Sequence, residues 1–235
     1  EKMIDPITHT EADDSVWKSL YKVGAVAALT VLVLMSIQIV VLIMWPPPST
    51  AIGWFNLFQT NKLVGLLDTD LLLIVDYALL GLVFLAFWAA LRRVNQSFMA
   101  IALVFELVGI VTYFASTAAF EMLSLSNQYA FATTDAERSV LLAAGQVMLA
   151  IWQGTAFNVS YIISAIALLI VSVIMVRSSI FSKVTAYMGI LASLLMFVPP
   201  TVGSIGIFLS LISLIPTAIW LILIVRKFFQ LGRRE

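Results

Sequence analysis

The chain has no cysteine and one histidine, His9. The first absence excludes disulfides, thiolate metal sites, c-type haem attachment and a cysteine nucleophile. The second leaves no pair of histidines for zinc, and His9 lies in a polar N-terminal stretch, so a Ser-His-Asp triad within the chain is excluded too. Charge is also scarce: Asp, Glu, Lys and Arg make up 11% of 235 residues, against about a quarter in a soluble globule. The 13 basic and 13 acidic residues cancel, and no like-charge run gives the basic footprint of a nucleic-acid binder. No nucleic acid, metal or cofactor is expected, and no catalytic residue is assigned. What is present is hydrocarbon, with 62% hydrophobic residues and a mean hydropathy of +1.06. Such a chain needs the bilayer as its solvent.

Crossing a ~30 Å hydrocarbon core takes about 20 apolar residues as helix. Residues 23–45, 71–91, 98–120, 157–176, 180–198 and 202–225 meet that length. Helices are the expected form, because backbone polar groups in lipid must be satisfied within their own segment. Lys2, Lys18, Lys22, Arg92, Arg93, Arg177, Lys183, Arg226, Lys227, Arg233 and Arg234 fall on one side of these spans, and only Lys62 and Arg138 on the other. The positive-inside rule then places both termini in the cytoplasm. The expectation is an all-α, six-span transmembrane bundle in the cell membrane. Residues 1–22 and 227–235 would be cytoplasmic tails around a membrane domain at 23–226. The acidic start (Glu1, Asp5, Glu11, Asp13, Asp14) and the length of the first apolar run fit an uncleaved span rather than a signal peptide.

Two outer connections, residues 46–67 and 121–155, look like a cap. Pro46, Pro47 and Pro48 stop the first helix, Ser49 or Thr50 can cap the next, and Trp54, Phe55, Leu57 and Phe58 form an apolar face suited to the headgroup layer. Thr134 and Glu137 have capping-box spacing, predicting a helix that runs through residues 140–152 toward the fourth span. Proline runs are the only feature the two halves share, too little for an internal repeat.

Polar residues inside the spans are the candidates for function. A rise of ~1.5 Å per residue puts Gln38, Asp76 and Tyr113 roughly 8 Å below the outer boundary, with Ser160, Tyr161 and Ser164 at similar depth and Asn158 just above. An ionised carboxylate in hydrocarbon costs roughly 3 kcal/mol, so Asp76 should face the interior, with Gln38, Tyr113 and Asn158 as partners. Asp68 and Asp70 either form an acidic mouth or cap the second span's N-terminus. Glu106, Tyr113 and Thr117 define one stripe of the third span. Glu106, about 12 Å from the inner boundary, is either a protonated helix-packing donor or a proton- or cation-exchanging group. On the fourth helix, Gln146, Gln153, Ser160 and Ser164 recur at near-heptad spacing. Thr185, Gly189 and Ser193 form a small-residue ridge on the fifth. Pro216 predicts a kink in the sixth, with Ser213 or Thr217 bonding the freed Ile212 carbonyl.

Residues 68–77 (DTDLLLIVDY), 91–95 (LRRVN), 120–138 (FEMLSLSNQYAFATTDAER), 153–161 (QGTAFNVSY), 181–189 (FSKVTAYMG) and 199–216 (PPTVGSIGIFLSLISLIP) resemble the prokaryotic membrane family termed domain of unknown function 4386. The resemblance implies a multi-pass membrane protein, transfers no catalytic residue, and draws attention to residues 121–138, with Glu121 at their start.

Three functions fit. The favoured one is a protein that binds or transports a small amphiphile, lipid or cation in an outward cavity lined by Gln38, Asp76, Tyr113, Gln153, Asn158 and Tyr161, with Asp68, Asp70, Glu106 and Glu121 as proton or cation groups. The second is a non-catalytic subunit packed against a membrane-protein partner or a second copy of itself. The third is a carboxylate-based membrane enzyme, which no HExxH, GxSxG or phosphate-binding motif supports.

Overall fold

The computed structural model describes residues 16–233. His9, the acidic residues of the first fifteen positions, Lys2 and Arg234 lie outside the described residues. Within them, every regular element is helical: α1 (Lys18–Met44), α2 (Ala51–Thr60), α3 (Lys62–Asp68), α4 (Leu71–Leu91), α5 (Gln96–Ser116), α6 (Ala119–Phe131), α7 (Asp135–Trp152), α8 (Thr155–Arg177), α9 (Lys183–Leu195) and α10 (Ser204–Arg233), with a 3₁₀ turn at Pro200–Val202.

Five helical stretches are long and apolar enough to cross a bilayer: Lys18–Met44, Leu71–Leu91, Gln96–Phe131, Asp135–Arg177 and Ser204–Arg233. The expected span at 180–198 is different. It is helical only over α9, 13 residues or about 20 Å, because the chain leaves helical geometry before Pro199 and Pro200. Helix also extends into the stretches at 1–22 and 227–235. Residues 18–22 already belong to α1, and α10 runs on through Arg233, with Phe228 fully buried and Gly232 against Lys22.

Six helices close into a ring in which α1 packs on α4, α4 on α5, α5 on α8, α8 on α9, α9 on α10, and α10 back on α1. Small residues permit the closest approaches. A Cβ on Gly24 would stand 2.6 Å from the Ala86 Cβ, and Ala25, Ala28, Ala89 and Ala90 are buried around that α1–α4 crossing. At the end of the ring away from the cap, the Phe87 ring meets Phe228 at 5.0 Å, Trp220 at 5.5 Å and Phe181 at 5.7 Å. Tyr21 stacks on Phe228 at 6.3 Å, so the start of α1 and the end of α10 lie together. The ridge on α9 is covered from within: Thr185 and Ser193 are buried, and a Cβ on Gly189 would come within 2.7 Å of the Trp220 indole nitrogen. In α10, the Ser213 hydroxyl bonds the Ser210 carbonyl and the Thr217 hydroxyl the Ser213 carbonyl, both at 2.7 Å, so neither serves Ile212 as expected.

The other four helices gather at one end of the ring as a cap built on a second hydrophobic core. Thr50 caps α2 through the Gly53 N–H, and the Thr134–Glu137 capping box starts α7. Trp54, Phe55 and Phe58, expected in the headgroup layer, are instead fully buried beneath α6 and α7 with Met122 and Ala118. The reason is that a face apolar enough for lipid is also apolar enough for a helix, and α6 supplies one. The Gln59 amide donates to the Ser126 carbonyl at 2.9 Å, and the Ser126 hydroxyl donates to the Phe55 carbonyl at 2.9 Å, pinning α2 to α6. The helix begun at Thr134 does not run into the fourth span. It breaks at Gln153 and Gly154, where a Cβ would lie 2.8 Å from the Ala150 carbonyl oxygen.

Candidate functional site

Inside the ring, toward its cap end, lies a cavity of ≈ 350 Å³. That is within the range of small-molecule sites, about 300–1,000 Å³. Its wall is mostly apolar, with residues from α1 (Val31, Met35), α4 (Leu80, Phe84) and α8 (Leu168). The polar groups are few and converge: Asp76 and Tyr77 from α4, Glu106 and Tyr113 from α5, Tyr161 and Ser164 from α8, and Ser210, Ser213 and Thr217 from α10.

Some of the buried polar atoms on this wall have no protein partner among the described residues. Asp76 is 4% exposed and Glu106 1%, yet Asp76 Oδ1 and Glu106 Oε1 find no hydrogen bond among the described residues. A buried polar group without a partner costs about 1–3 kcal/mol, more if charged. Where several face one space, that space is built for something polar. The rings on the wall are ordered: Tyr77 and Tyr113 stack face to face, 3.8 Å apart and 4° from parallel. Phe157 and Tyr161 stack at 6.0 Å, and the Tyr161 hydroxyl is held by Ser210 at 2.9 Å. Ser160, at the same depth, is spent on packing, donating to the Gly109 carbonyl at 2.7 Å where α5 and α8 touch.

The structure thus gathers Asp76, Tyr113, Tyr161 and Glu106 into one cavity and places the other expected residues elsewhere. Gln38 is buried, but its amide donates to the Leu67 carbonyl at 3.2 Å, tying α1 to α3. Gln153 is an exposed residue at the break after α7, so the polar stripe from Gln146 to Ser164 is divided between two helices. The Asn158 amide donates to the Gly154 carbonyl at 2.8 Å and its carbonyl accepts from Thr201, fastening α8 to the loop before α10. Thr117 caps the end of α5 and leaves the Glu106–Tyr113 stripe. Glu121 is exposed in the first turn of α6.

Asp68 and Asp70 are neither an open mouth nor side-chain caps. Asp70 precedes α4 with a left-handed φ of 68° and makes no capping hydrogen bond. That conformation costs a residue with a Cβ about 1 kcal/mol. Its carboxylate instead accepts the Trp152 indole N–H at 2.6 Å, joining the end of α7 to the start of α4. Burial pushes the Asp70 carboxyl up to about 6; the Trp152 and Tyr113 donors beside it pull the other way, and the Asp68 charge adds to the rise. Asp68, at the end of α3, is 1% exposed with neither oxygen bonded among the described residues, and burial holds it at about 6 as well.

Sequence reasoning passed over Tyr77, Phe157, Ser210, Ser213, Thr217 and Trp220, all on the wall. A signal was present: Ser210, Ser213 and Thr217 recur at i, i+3 and i+7, one face of a helix otherwise made of hydrocarbon. A larger groove of ≈ 740 Å³ between the ends of α6 and α7 is bounded by exposed residues such as Phe131 and Val140 and gathers no buried polar group.

An all-helical ring with five membrane-length apolar helices defines a multi-pass membrane protein. The model of the family described as domain of unknown function (DUF4386) matches residues 58–229, and the chain belongs to that family. No curated protein and no solved structure matches the chain.

Proposed function

We propose that the protein crosses the cell membrane six times with both termini in the cytoplasm, and that its central cavity binds or transports a small amphiphilic, lipid-like or cationic ligand. Two features support six crossings. The start of α1 and the end of α10 pack together through Tyr21 and Phe228, as an even number of crossings requires. The short α9 completes its crossing with the irregular residues 196–203, and irregular backbone at membrane depth is tolerated where it lines a cavity. Met196 and Pro200 are on the cavity wall.

The observation that carries the binding reading is the convergence of Asp76 and Glu106, buried and with unpartnered carboxyl oxygens, on one apolar-walled space that Tyr113 also lines. A purely accessory subunit would leave its small-residue ridge uncovered for a partner and its polar groups satisfied; here the ridge is covered and these groups are not. The test is native mass spectrometry of the protein extracted in mild detergent. A retained small molecule that is lost in Asp76→Asn, with helicity and membrane insertion unchanged, is the expected result. Retention unaffected by the substitution would give Asp76 a structural role instead.

A further inference from the structure

We infer that the ligand of this cavity is a monovalent organic cation with a hydrocarbon tail, an amine- or quaternary-ammonium-headed amphiphile that enters sideways from the bilayer. This deepens the binding reading above and rests on it.

Charge gives the first argument. The ionisable side chains on the cavity wall are two carboxyls and three phenols, with no Lys, Arg or His among them. A carboxylate held in hydrocarbon needs a countercharge, and the wall supplies none, so the ligand is the natural source. One ionised carboxyl balances a monovalent head, and the other, protonated, donates a hydrogen bond. Asp76 comes from α4 and Glu106 from α5, so a head between them would bridge neighbouring helices of the ring.

The surfaces give the second. Ring faces carry negative quadrupole density and attract weakly hydrated cations. Tyr77, Tyr113, Phe157, Tyr161 and Trp220 all contribute to the wall, and the two stacked pairs, Tyr77–Tyr113 and Phe157–Tyr161, are linked by a Tyr113–Phe157 contact at 6.4 Å. Aromatic faces beside carboxylates suit an alkylammonium head. A hard metal ion would ask for six or more oxygens, and this wall is too apolar for that.

The opening gives the third. Leu211 is on the cavity wall and is also 60% exposed, so the space reaches the flank of α10. Around it Phe208 and Ile215 are 61% and 65% exposed on that flank. A tail already in lipid would therefore enter past Leu211, across this apolar flank.

The test uses the full chain in nanodiscs and two probes of the same shape: hexyltrimethylammonium and its uncharged carbon isostere, 2,2-dimethyloctane. The cation should bind at least about tenfold more tightly than the isostere, and the preference should vanish in Asp76→Asn combined with Glu106→Gln. Tyr113→Leu should weaken the cation and leave the isostere almost unchanged. Equal affinity of the two probes would overturn the cationic assignment while leaving an apolar binding cavity in place. A preference that survives in the double variant would overturn the role of the carboxyls. Binding of neither probe would overturn this inference together with the binding reading beneath it. The comparison of probes on the unmodified protein stands even if the double variant fails to fold.

Discussion

Trp152→Phe removes one hydrogen-bond donor and keeps an aromatic ring against Trp54, its edge-to-face neighbour at 5.6 Å. The lost donor is the indole N–H that reaches the Asp70 carboxylate at 2.6 Å. A hydrogen bond to a charged group contributes about 1.5–3 kcal/mol, and Asp70 would be left buried without it. Besides this bond the helix is held by Gly145, its only buried residue among those described, and by Leu141, Leu142, Met148 and Leu149, which pack only partly buried against the cap core. The expected loss is therefore about 2 kcal/mol, or a roughly thirtyfold rise in the open population of the α7 end. Hydrogen–deuterium exchange of peptides covering residues 145–152, in nanodiscs at pH 7.5, reads that population directly. At pH 5, below the Asp70 value of about 6, the acceptor is protonated and the difference should shrink toward that of a neutral hydrogen bond. A cycle with Asp70→Asn should show coupling of the same size. Exchange at pH 7.5 indistinguishable from the unmodified protein, or single effects that simply add, would refute the assignment of this contact as the fastening of the cap.

Two further outcomes follow from packing and from pH. Gly24→Ala puts a methyl 2.6 Å from the Ala86 Cβ and should destabilise by about 1–3 kcal/mol, whereas Gly81→Ala meets only the Ile110 Cδ1 at 3.3 Å and should be milder; thermal midpoints in detergent rank them. Asp68 and Asp70 both stand near 6 when folded, above the ordinary 3.8. Between those values the folded state binds more protons than the unfolded one, so stability falls as pH rises from about 4 to about 6 and levels off above. Asp68→Asn should flatten that fall. Stability that rises across this window in the unmodified protein would contradict burial as the cause.

Local signals were read well because they act within a turn or two of themselves. The Thr134–Glu137 box and the Thr50 cap depend on backbone donors three residues away, and the stop after Met44 on the Pro46 ring itself. Partners brought from a distance were less legible. Trp54, Phe55 and Phe58 advertise an apolar face, but whether lipid or protein covers it depends on residues far along the chain, as the Gln59–Ser126 contact, 67 positions apart, illustrates. Depth along a helix put Asp76 and Tyr113 in one layer, and both line the cavity, yet depth carries no rotation. Gln38 and Asn158 have the right height and spend their amides on nearby carbonyls. Counting apolar residues also overlooked conformation. The run at 180–198 is long enough in composition, but its last residues are not helical, and its final helix partner α10 carries the serine and threonine stripe that completes the wall.

The brevity of α9 sets a preferred bilayer. On the six-crossing reading, a rigid rod of about 20 Å covers only part of a ~30 Å hydrophobic slab, and residues 196–203 must cover the remaining roughly 10 Å without α-helical hydrogen bonds, beside companions such as the 30-residue α10. A thicker slab would stretch that weaker segment further, at a cost that grows with each ångström of mismatch. Thin membranes would thus relax this protein and thick, ordered ones would strain it, so its surrounding lipid becomes an adjustable component of its behaviour.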